Sequence, residues 1–148
     1  MRKIFLSLVA VAALAGCTFG QSKMCTLTDM DSEVSVIWRP ADFEDTGGAM
    51  IRVCVDGSCE ERASGSPSDP ARRVSVQLPQ DIGAKKLPVE LTVTPVKGGS
   101  PVTHTEQAQL TEEHPNGKGC EPVAYIASFR ADPVKGLVST EGFSPQGK

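Results

Sequence analysis

Five cysteines and two histidines are the residues of this 148-residue chain whose chemistry reaches furthest. Nucleophilic catalysis needs a base within reach of a nucleophile. The imidazoles on offer are His104, in a Thr-rich polar run, and His114, in Glu112-Glu113-His114-Pro115. Serines are plentiful, but no G-x-S-x-G elbow occurs, and Gly65-Ser66-Pro67-Ser68 reads as loop. Asp29-Met30-Asp31-Ser32-Glu33 is the densest acidic cluster. It lacks the sixth-position Gly of an EF-hand, and no helical period flanks it, so it reads as a solvated turn. A blue-copper ligand order fails because no His or Met follows Cys120. The census predicts no catalytic residue, no metal ligand and no cofactor. The alternative is a small envelope enzyme or metal carrier working through His104, His114 and acidic loop residues.

Composition narrows the partners. The net charge of −3 becomes −5 once Arg2 and Lys3 are removed with the leader, and no Lys/Arg face is clustered, so nucleic acid is not an expected partner. Beyond residue 24 the aromatics are Trp38, Phe43, Tyr125, Phe129 and Phe143. Trp38 shares an apolar stripe with Val34 and Val36, which assigns it to the core. Phe43 and Phe143 fall in a predicted loop and tail, and these two are expected to reach solvent.

Arg2 and Lys3 precede Ile4–Gly16, an uncharged run of 13 residues. As a helix it would rise roughly 20 Å, short of the ~30 Å hydrocarbon core, which suits an export signal better than a permanent span. The run ends in Leu14-Ala15-Gly16-Cys17, which resembles the lipobox of bacterial lipoprotein precursors. The resemblance implies a diacylglyceryl group on the Cys17 thiol and cleavage between Gly16 and Cys17. Acylation of the new amine by a chain such as palmitate would follow. A small-x-small site at Ala13-Leu14-Ala15 offers ordinary cleavage instead. The cysteine count favours lipidation, because five cysteines leave one over after pairing and a lipidated Cys17 removes it.

From Cys25 onward the recurring pattern is period-2 alternation punctuated by Gly, Pro, Asn and Asp. It predicts strands around Val34–Trp38, Ile51–Val55, Ser58–Ala63, Val74–Leu78 and Val89–Val93. A long polar edge strand over Val102–Thr111, a strand over Val123–Phe129 and a short one over Gly136–Ser139 complete the set. About eight short strands without a helix predict an all-β fold, a single antiparallel sandwich of immunoglobulin-like or transthyretin-like kind.

Asp56-Gly57 suits a type I′ turn, because both residues tolerate positive φ. With these two as the loop, Cys54 and Cys59 become a non-hydrogen-bonded pair with Cα atoms ~4.5 Å apart, within disulfide reach. Cys25 and Cys120 then pair by elimination, although four cysteines formally allow three connectivities. In this register Glu60 and Arg62 share the face of Val53 and Ile51. That placement requires an edge strand overhanging the core, or else a bulge or a different register. With its lipobox and its Cys54-Val55-Asp56-Gly57-Ser58-Cys59 hairpin, the chain also resembles small lipoproteins of Gram-positive, actinobacterial type, a likeness that brings no known activity.

The expected organisation is an export signal over 1–16, a lipidated tether over 17–24, a sandwich domain over 25–139 and a tail over 140–148. The expected product is a lipoprotein on the extracytoplasmic face of the cell membrane. Its expected role is a non-catalytic binding or adaptor module, meeting an envelope protein, peptide or wall polymer through loops or an exposed sheet edge.

Overall fold

A computed structural model describes residues 23–144. The expected export signal, Cys17, the expected tether up to Ser22 and residues 145–148 lie outside the described residues. The described chain forms nine strands: β1 (Glu33–Trp38), β2 (Ala49–Val55), β3 (Ser58–Ala63), β4 (Arg72–Gln77), β5 (Lys86–Pro95), β6 (Val102–Gln109), β7 (Thr111–Glu113), β8 (Ala124–Asp132) and β9 (Gly136–Ser139). A 3-10 helix over Pro40–Thr46 joins β1 to β2.

Period-2 alternation does what it must: Val34, Val36 and Trp38 of β1 meet Ile51, Val53 and Val55 of β2 and the Val89–Val93 stripe of β5 in one core. One sheet runs β3-β2-β5-β6, all antiparallel. The other runs β4-β1-β8, with β7 and β9 both pairing β8. The fold is the expected two-sheet sandwich with two disulfides, antiparallel except that β1 and β8 run parallel.

Two elements differ from the sequence expectation in an informative way. The polar run from Val102 is not one strand. Ala108 and Leu110, the apolar pair inside it, are both buried, and the Leu110 N–H donates to the Lys85 carbonyl. Drawing Leu110 inward carries the chain from the edge of one sheet to the edge of the other, so β6 and β7 belong to different sheets. Phe43 is the second case, being 0% exposed rather than in solvent. Pro40 starts the 3-10 turn, and Gly47, at φ +66°, ends it with its N–H on the Glu44 carbonyl. That tight turn folds the connector back and tucks the ring under β1 and β2. Phe143 is also partly covered, with the Arg39 guanidinium 6.0 Å above its ring.

β3 is an edge strand whose six residues are all exposed. Ile51 pairs with Arg62 and Val53 with Glu60, so β3 overhangs the core in the drawn register. Arg62 uses its position to donate 2.7 Å to the Arg73 carbonyl of β4, lacing the two sheets along one side.

Candidate functional site

Strand directions divide the sandwich into two poles. Cys25–Cys120, the loop over 78–85, the β2–β3 turn and the start of β8 lie at one, the disulfide pole. Trp38, the 3-10 helix, the loops over 64–71 and 96–101 and the β8–β9 turn lie at the other, the tryptophan pole.

Both expected bridges form, the hairpin one argued from its spacing and the long one by elimination. Cys54 pairs with Cys59 across the Asp56-Gly57 turn, with a Cα–Cα distance of 4.1 Å, somewhat closer than the general non-hydrogen-bonded spacing. Both turn residues have positive φ, 49° and 84°. Cys25 and Cys120, 95 residues apart in sequence, have Cα atoms 5.7 Å apart. Beside the long bridge lies Asn116, only 4% exposed. Its Oδ1 accepts from the Thr28 N–H at 2.6 Å and the Thr26 hydroxyl at 2.9 Å. Its Nδ2 donates to the carbonyls of Thr28 and Glu121 at 2.9 and 2.8 Å. One buried amide therefore satisfies its full bonding capacity by clasping the N-terminal segment to the 114–121 loop. In the sequence Asn116-Gly117 carries only the chemistry of a turn. The signal that it does more is absent from the sequence, since Thr26 and Thr28 lie about ninety residues away.

The two histidines do not meet. His114 follows β7, whose Glu113 pairs with Ala124 at the start of β8. His104 lies against Gly136, which pairs with Asp132 at the end of β8. The intervening strand is roughly 25 Å long at ~3.3 Å per residue. His114 Nε2 lies 2.7 Å from Glu112 Oε1 at the surface. The His104 ring packs on the Gly136 backbone, where φ is +81° and a Cβ would collide with it. Two carboxylates of the acidic cluster are engaged in holding the fold. Glu33 pairs with Arg73 at 3.4 Å, and Asp31 accepts from Gln80. Gln80 in turn holds the fully buried Ser32, whose hydroxyl takes the Tyr125 N–H. Among the described residues no three His, Cys, Asp or Glu side chains gather as a metal cluster would.

What the fold does build is a lateral cleft of about 620 Å³ between β6 and the shared β7/β9 edge. β7 pairs β8 up to Ile126, and β9 resumes the pairing at Phe129. Between them Ala127 and Ser128 present a length of β8 edge with no strand on it. The gap exists because the chain runs along β6 as far as Gln109 and reaches β8's edge only after Leu110. Ala127, Phe129 and Leu137, on the core-facing side of their strands, form the apolar part of the lining together with Ile126 and Val138. The charged side chains in that lining are Glu106 and Glu113, both acidic. The cleft's volume lies in the range of ligand-binding pockets. A smaller pocket of about 310 Å³ at the tryptophan pole is walled by Phe43, Gly47, Gly65 and Lys97.

Residues 1–18, which include the Leu14–Cys17 lipobox, match the family model for a prokaryotic membrane lipoprotein lipid attachment site. No curated protein and no solved structure matches the chain. The family match supports a bacterial lipoprotein precursor with a lipid-anchored place at a membrane.

Proposed function

We propose that the protein is a non-catalytic binding module, displayed on the extracytoplasmic face by acyl chains on Cys17, which takes an extended basic peptide segment of an envelope protein into its lateral cleft. The observation that carries this reading is the unpaired β8 edge at Ala127–Ser128, set over an apolar floor between Glu106 and Glu113. Free backbone groups on a sheet edge recognise an extended chain, the floor accepts an apolar side chain, and the two carboxylates favour Lys or Arg beside it. The likeness of the Cys54–Cys59 hairpin to that of actinobacterial-type lipoproteins adds no activity to this reading.

The test is partner capture from isolated envelopes by the mature, acylated protein. The double variant Glu106→Lys, Glu113→Lys should lose the partner while keeping its thermal midpoint. The double variant His104→Ala, His114→Ala should keep the partner. Retention by the charge-reversed protein refutes the cleft reading. Loss of a hydrolytic, redox or metal-binding activity in the histidine variant replaces the binding module with the enzyme or metal-carrier alternative.

A further inference from the structure

We infer that the disulfide pole rests on the phospholipid bilayer, with Met24 and Leu27 entering the lipid interface; the inference starts from the same lipid anchoring at Cys17. Leu27 is 102% exposed and Met24 is 94% exposed, yet neither belongs to a loosely held segment. Thr26 and Thr28, on either side of Leu27, are both bonded to the Asn116 carboxamide, which directs the side chain between them away from the fold. Cys25, beside Met24, is locked to Cys120, and the Lys23 ammonium donates to the Lys118 carbonyl. Two large apolar side chains, three residues apart, are thus held outward by an ordered backbone.

The anchor says what covers them. Residues 18–24 separate Cys17 from Cys25 and reach at most about 25 Å fully extended. A lipidated Cys17 therefore confines this pole to the membrane surface, where contact with lipid becomes an intramolecular event at high effective concentration. Charge does not draw this pole to lipid, because Lys23, Lys85 and Lys118 are outnumbered there by carboxylates, among them Asp29, Asp31, Asp81 and Glu121. Apolar insertion is the source of the contact, and a zwitterionic bilayer suffices. In this orientation the lateral cleft opens sideways and stays accessible.

The test places mature, acylated protein in phosphatidylcholine vesicles with brominated acyl chains. Leu27→Trp is compared there with Val134→Trp, an exposed site in the β8–β9 turn at the opposite pole. The buried Trp38 is common to both, and its emission is subtracted using the unsubstituted protein. Leu27→Trp should lose at least half its emission in phosphatidylcholine alone, with no gain on adding phosphatidylglycerol, while Val134→Trp is unchanged. Equal quenching at the two poles, or none at either, overturns the orientation. A blue-shifted Leu27→Trp emission without bromine quenching also overturns it, by showing that protein covers the site. Mass analysis of Cys17 in the same sample separates the two failures. Acylated but unquenched protein refutes the orientation alone, whereas protein without acyl mass refutes the anchoring.

Discussion

At the disulfide pole, a bridge spanning 95 residues and a buried asparagine with four hydrogen bonds gather the N-terminal segment and the 114–121 loop, neither of which lies in a strand. At the tryptophan pole no described residues are covalently cross-linked. There Trp38 and Phe43 are fully buried, the Trp38 indole N–H donates 2.9 Å to the Ser64 carbonyl, and the Ser64 hydroxyl accepts from the Ala49 N–H. The contrast follows from what each pole has to bury. Residues 23–31 are mostly exposed and offer almost no apolar surface to the core, so polar and covalent ties must hold them. The 3-10 connector carries a phenylalanine and needs only packing.

The largest test of this comparison removes the long bridge. Cys25→Ser with Cys120→Ser should cost about 4–5 kcal/mol in the chain-entropy model, against about 2 for Cys54→Ser with Cys59→Ser. Urea unfolding gives both values, and hydrogen exchange should rise first over residues 23–31 and 112–123. Uniform acceleration at both poles would dissolve the distinction. Trp38→Ala should cost roughly 3–5 kcal/mol and free the 3-10 helix and the 64–71 loop first, because it empties a large buried volume and strands the Ser64 carbonyl. An exchange pattern matching that of the bridge variant would show a single cooperative unit instead.

Asn116→Ala should cost less, about 1–3 kcal/mol, by leaving the Thr28 N–H without its acceptor while the disulfide stays closed. Its sharper readout is local: increased exchange at Thr28 with the tryptophan pole unaffected. The smallest effect belongs to Asp132, in the β8–β9 turn. The Lys135 N–H, foremost, then the Val134 N–H and the Arg130 and Lys135 charges hold its carboxyl below the ordinary value of 3.8, against a desolvation that raises it. A folded pKa below the unfolded one gives stability that is present above the unfolded value and lost as pH falls through the folded one. Asp132→Asn should therefore narrow the stability difference between neutral pH and pH 3. An unchanged difference would exclude Asp132 as a source of acid sensitivity at this pole.

Legibility in the sequence tracked the range of the interaction. The Cys54–Cys59 hairpin was readable because a turn of two residues fixes its register locally, and the overhang of β3 followed from counting outward. β9 was readable from a Gly followed by a short apolar pair, and Trp38 from its stripe. The burial of Phe43 is not legible, because a loop pattern carries no information about which way a 3-10 turn folds back. The β6–β7 switch is not legible, because a polar run with two apolar residues looks like one edge strand until a second sheet offers Leu110 a place. The cleft depends on that switch, so it was illegible for the same reason.

The sequence by itself determined the all-β class, the sandwich, the Cys54–Cys59 hairpin bridge and the lipid attachment signal, since each rests on periodicity, turn chemistry or a contiguous motif. Only the tertiary structure decided that β1 runs parallel to β8 and that the two histidines stand at opposite ends of that strand. It alone decided that Asn116 clasps Thr26 and Thr28, and that Ala127 and Ser128 lack a neighbour on one edge. Each of these joins residues far apart in the chain. Local dihedral preference and side-chain alternation fix which face a residue shows, but the partner that face meets is set by how two sheets close over one core.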